Sequence, residues 1–171
     1  ELDDMFIDFF DDPIRFRRDT LFAIEKLSGI YQLHFSLDTA QDAGISEPEF
    51  LTTVAAFAQW LRAQPEVDHV SALSDPMHRL NQYNHGNDES WYRLPENLEL
   101  AAQYLLLYEM SLPYGLDLNN QIDIRKASTR VTATLANMSA RELRAFNERA
   151  QSWLAGNAGS NMAQSGAGTA F

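Results

Sequence analysis

The chain has 171 residues, 45% of them apolar and 22% charged, with no cysteine and a formal net charge of −11. That composition suits one globular domain carrying an insertion. The negative balance repels phosphate backbones and anionic headgroups, so nucleic acid is not an expected partner. The absence of thiols excludes disulfides, thiolate metal sites and cysteine nucleophiles.

The first segment, residues 1–28, mixes acids (Glu1, Asp3, Asp4, Asp8, Asp11, Asp12) with Met5, Phe6, Ile7, Phe9 and Phe10. It then takes a loose helical spacing through Phe16, Leu21, Phe22, Ile24 and Leu27. Arg17 and Arg18 are expected to pair with the acids before them. Residues 30–37 alternate strictly, with Tyr31, Leu33, Phe35 and Leu37 on one face and Gln32, His34 and Ser36 on the other. That pattern predicts a strand with one buried face.

Ser46 and Glu49 have the spacing of a capping box, with Pro48 in the first turn of a predicted helix that runs to about Ala63. Leu51, Val54, Ala55, Ala58 and Leu61 form its apolar stripe, widened by Phe50, Phe57 and Trp60. Residues 67–74 predict a shorter strand, and Asp75-Pro76 a brief helical turn. Residues 83–94 read as a loop. Pro95 then opens a predicted helix over about 96–111, stopped by Pro113 and Gly115. Residues 121–136 hold a third predicted strand, with Thr129, Val131, Ala133 and Leu135 on its inner face and Arg130 outside. Ser139 and Glu142 form a second capping box. Leu143, Phe146, Ala150, Trp153 and Leu154 line the core face of the helix that follows. The Gly166-Ala167-Gly168 stretch reads as tail or turn, and residues 167–171 as the start of a fourth strand.

The order strand, helix, strand, insertion, strand, helix, strand predicts an α+β fold: a ferredoxin-like split β-α-β sandwich with a helical insertion at about 76–120. The expected division is a lead-in over 1–28 and a domain over 29–171.

Chemistry-bearing groupings are sparse. Asp75, His78, His85, Asp88 and Glu89 lie near one another, but their spacing matches no standard ligand set, so solvated polar residues are the plainer reading. Glu99 and Glu109 flank an apolar helix and read as its wet stripe rather than an acid–base pair. There is no G-x-S-x-G turn, no G-x-G-x-x-G and no P-loop. No catalytic residue, metal or cofactor is therefore expected. The most informative stretch is 98–114, where apolar residues occupy nearly every face of one short helix. Such a helix must be covered on several sides, by this chain's own N-terminal segment and loops or by something else. Trp91, Tyr92, Tyr104, Leu107, Tyr108, Met110 and Tyr114 are the candidate contacts for a substrate or an interface.

The runs FRRDT (16–20), LSGIYQLHFSL (27–37), WLRAQPEVDHVSALSD (60–75) and WYRLPENLELAAQYLLLYEMSLPYGLDLNN (91–120), with the strand before Asn137-Met138-Ser139, carry a resemblance. Together they resemble the first extracytoplasmic loop of RND-superfamily exporters of the MMPL-like type, over nearly the whole chain. The resemblance implies a periplasmic porter domain with a ferredoxin-like fold, set between transmembrane helices of a bacterial inner-membrane protein. Both ends of the chain fit that expectation as cuts in a longer polypeptide, with 1–28 leading in from a transmembrane helix. It implies partners in the remaining transmembrane and second periplasmic domains, proton coupling outside this chain, and hydrophobic or amphiphilic substrates such as lipids or drugs. No family site residue carries over. Self-association through the 98–114 surface is a further expectation. The alternatives are a free-standing periplasmic binding module for a small hydrophobic ligand, and a hydrolase or metal enzyme built on Asp75, His78, His85 and Asp88.

Overall fold

The computed structural model describes residues 31–39, 41–113, 118–157 and 162–170. The expected lead-in and its Arg17-Arg18 pair lie outside them. The described chain is a mixed α+β structure built on a four-stranded antiparallel sheet of order β2-β3-β1-β4. The strands are β1 (Tyr31–Thr39), β2 (Val67–Ser71), β3 (Ser128–Leu135) and β4 (Met162–Ala170). Helix α1 (Pro48–Arg62) joins β1 to β2, and α4 (Ala140–Asn157) joins β3 to β4. Two more helices, α2 (Ser74–Asn84) and α3 (Leu98–Ser111), lie between β2 and β3. Among the described residues no helix is long and apolar enough to cross a membrane.

The alternation in β1 places its faces as the sequence predicts. Leu33, Phe35 and Leu37 are buried and register against Ala133, Val131 and Thr129 of β3. Gln32, Ser36 and Arg130 are exposed on the outer face. Helices α1 and α4 cover the inner face, and rings from three elements meet there. Phe57 stands edge-on to Phe35 with centroids 5.2 Å apart and lies 5.4 Å from Trp153. Trp60 stacks on Phe57 at 6.1 Å and on Trp153 at 5.9 Å. Offset and edge contacts of this kind suit the ring quadrupoles and add to the burial of large apolar surface.

Several local expectations are corrected. The Ser46–Glu49 capping box does not form: Ser46 is buried at the end of a 3-10 turn (Gly44–Ser46), and the N-cap is Glu47, without a side-chain cap. Pro48 sets the boundary, because a residue before proline is held extended and proline at the first helical position lacks only an N–H that would have no partner. Gly44 is required here, since a Cβ would collide with the Thr39 side chain. The second capping box does form: Ser139 N–H donates to Glu142 Oε2 at 2.8 Å and Glu142 N–H to Ser139 Oγ at 3.4 Å.

The brief turn expected at Asp75-Pro76 is a helix of 11 residues, α2. Pro76 falls in its first turn, where proline is tolerated, and Met77 and Asn81 continue its buried face. Helix α3 starts at Leu98 rather than near 96, because Asn97 caps it by accepting from Leu100 N–H at 2.8 Å. The third strand is confined to Ser128–Leu135. Residues 121–127 form a loop clamped by Asp123 instead. Gly166-Ala167-Gly168 is neither tail nor turn but lies in β4, paired with Ser36, Phe35 and His34 of β1. Its small residues left no periodicity to read.

Candidate functional site

Helix α3 is where burial and composition disagree most. Ala101, Tyr104 and Leu105 are buried, at i, i+3 and i+4, which is the one stripe a helix beside a small core can bury. Leu106, Leu107 and Met110 remain 53%, 48% and 75% exposed. Leu98, Leu106 and Met110 fall on one i+4 line, so the exposed side chains form a ridge rather than scattered points. Leu107 and Met110 are thus open among the described residues, as a contact surface requires. Tyr114 lies outside those residues.

Tyr104 is not a contact residue. It is 3% exposed, and its hydroxyl donates to Asn81 Oδ1 at 3.1 Å. Burial pushes its phenol above the ordinary value. Asn81, itself buried, donates through Nδ2 to the Trp91 carbonyl at 3.2 Å and the Arg93 carbonyl at 2.9 Å. One amide therefore fastens α2, α3 and the 89–93 segment together, and every polar group in the cluster is satisfied. Sequence reasoning missed Asn81 because an asparagine in a predicted turn carries no signal of burial.

Trp91 and Tyr92 serve the same fastening from outside. Trp91 stacks on the His85 ring with centroids 3.6 Å apart, and the Arg93 guanidinium carbon lies 4.2 Å from the indole centroid. Tyr92 stacks on His78 at 5.2 Å and is still half exposed. The two imidazoles bond to carbonyls one turn back, His78 Nδ1 with Ser74 O at 2.6 Å and His85 Nδ1 with Asn81 O at 2.7 Å. They act as the buttress of a loop. Asp75 is engaged elsewhere, by Arg62 at 2.7 and 2.8 Å and by Ala72 N–H at 3.2 Å. Among the described residues no three His, Asp or Glu side chains converge to hold a metal. Glu109 pairs with Lys126 Nζ at 2.9 Å, which takes it away from any acid–base partnership with Glu99.

Between these elements runs a cleft of about 370 Å³. Its floor is the end of β2, from His69 to Ala72. One wall is the face of α2 carrying Pro76, Arg79 and Leu80, and the other is Tyr108 of α3 with Gln121. Of the candidate contacts only Tyr108 lines it. His69, Arg79 and Gln121 were not singled out from sequence, because three polar residues from distant segments share no pattern until the fold brings them together. The outer face of the sheet has a smaller hollow of about 150 Å³, bounded by Ser36, Arg130 and the 119–123 segment.

No protein-family model matches the chain, and no curated protein matches it either.

Proposed function

We propose that this chain is the extracytoplasmic porter domain of an RND-type exporter of the MMPL-like kind, lying in the periplasm and packing against a sister lobe. On this reading it is not an enzyme. It shapes the path of hydrophobic or amphiphilic substrates while transmembrane parts supply the proton coupling. The observation that carries the proposal is the apolar ridge of α3, held outside the helix-covered sheet by the Asn81 fastening. An apolar ridge on a rigid support is what a docking face between lobes needs. The strand order β2-β3-β1-β4 supports it further. In that order each β-α-β unit has a strand of the other unit between its own two, as a ferredoxin-like split β-α-β sandwich would require. The sequence resemblance over nearly the whole chain is the third support.

The decisive experiment is the complete reading frame. The proposal expects an apolar span of about 20 residues close to Glu1 and another close to Phe171. A frame with neither overturns it. A second reading, a free-standing periplasmic binding module, is favoured by the cleft between β2, α2 and α3, and expects a frame with a leader but no such spans.

A further inference from the structure

We propose that the cleft between β2, α2 and α3 is a binding site for a small amphiphilic carboxylate, with Arg79 as the headgroup anchor. The inference stands on the cleft alone and is independent of the exporter reading.

The volume of about 370 Å³ falls within the range of small-molecule sites, about 300–1,000 Å³. The α2 wall follows helical spacing: Pro76 and Leu80 are four apart, as are Asp75 and Arg79, so all four share one face. Asp75 would be the ordinary i,i+4 partner of Arg79. It is instead turned to Arg62, 2.7 Å away, and to Ala72 N–H. The ion pairs of the described residues take up Arg62, Arg93, Arg125, Lys126 and Arg149 and leave Arg79 out. The cleft's one acid is thus neutralised while its exposed arginine keeps its charge, in a chain whose net charge is −11. A planar guanidinium fork matches a carboxylate in bidentate fashion.

Around that charge the lining supplies further polar residues to orient a headgroup: His69, Ser71, Gln121 and Tyr108. Pro76 and Leu80, both half-buried, form the apolar surface on which a short hydrocarbon body would lie, with Val70 and Ala72 buried at the base of the cleft. One anchored charge beside an apolar wall selects for a monoanion with an apolar body over a neutral alcohol or a bare anion.

The test is a two-dimensional amide NMR titration of the 171-residue chain with decanoate, decanol and acetate, each below its aggregation limit. The site predicts saturable decanoate shifts at Val70, Ser71, Arg79 and Gln121. It predicts that decanol and acetate each bind at least about tenfold more weakly, decanol because it lacks the charge-assisted hydrogen bond to Arg79 and acetate because it lacks the buried hydrocarbon. Arg79→Gln should weaken decanoate by about tenfold or more with the melting temperature unchanged, since Arg79 is exposed. Arg144→Gln, on exposed α4 surface outside the cleft, should leave affinity unchanged. Equal affinity for decanol or for acetate overturns the proposal. So does full decanoate affinity in Arg79→Gln, or shifts that map to the α3 ridge at Leu106 and Met110 instead.

Discussion

One carboxyl and one imidazole group show how single residues set stability. Burial alone would raise the Asp123 carboxyl, but N–H donors from Ser128, Ala127 and Arg125, with the Arg125 guanidinium, outweigh it and hold it below the usual carboxylate range. Its Oδ1 accepts from Ala127 N–H at 2.6 Å and Ser128 N–H at 2.8 Å, closing the loop that delivers the chain into β3. Asp123→Ala should therefore cost about 1–3 kcal/mol in a denaturant melt, with much of the loss already present for wild type at acid pH. His34 is lowered too, but by different causes. Burial, then the nearby Arg130 charge, lowers its pKa from 6.5, and its Nδ1 lies 3.0 Å from Thr132 Oγ1. Below pH 6.5 the unfolded chain takes up the proton before the folded one does. The contribution of His34 is thus complete above that pH and is lost as pH falls through the depressed folded value. Melts of wild type and His34→Gln should converge in slope above neutrality and separate below it; parallel curves throughout would refute this. Asn81→Ala, which strands two carbonyls and the Tyr104 phenol, should lower stability by about 1–3 kcal/mol and free the 89–93 segment in hydrogen exchange.

At the scale of elements, α1 and α3 behave as opposites. Both are rich in apolar residues, but α1 has the sheet on one side and α4 beside it, so Phe57 is wholly buried among Phe35, Trp60 and Trp153. Phe57→Ala should cost about 3–5 kcal/mol, a large share of the about 5–15 kcal/mol typical of a domain. Among the described residues helix α3 packs chiefly against α2 and the Gly44–Ser46 turn, and its ridge stays exposed. Leu106→Glu with Met110→Glu should leave folding stability within about 0.5 kcal/mol per site. If the ridge is a docking face, wild type should self-associate at high concentration in sedimentation while the double variant stays monomeric. Identical sedimentation of the two would remove the ridge as an interface.

For the molecule as a whole, the β1 alternation and the α1 and α4 stripes were legible because each encodes which face is buried, independently of what buries it. Ser139 and Glu142 were legible for the same reason, their bonds being made within four residues. Ser46 and Glu49 misled because the same local motif competed with Pro48 for the helix boundary. β4 was half hidden because Gly166, Ala167 and Gly168 carry no face of their own; its strand state comes from pairing with β1, whose exposed edge it completes. The same lack of local signal hid the cleft. Arg79 and Tyr108 are ordinary helix residues until β2 runs beneath them.

By itself, the amino-acid sequence determined the α+β class, the inner faces of β1 and β3 and the core stripes of α1 and α4, because periodic burial is a property of the chain's own repeat. It also determined that α3 carries more apolar surface than one contact can cover. Only the tertiary structure decided which part of that surface is covered, that Tyr104 and Asn81 form a buried fastening, and that Asp75 turns to Arg62 and leaves Arg79 open. Those outcomes depend on which distant segments meet, and a contact between residues tens of positions apart is set by packing rather than by any local pattern.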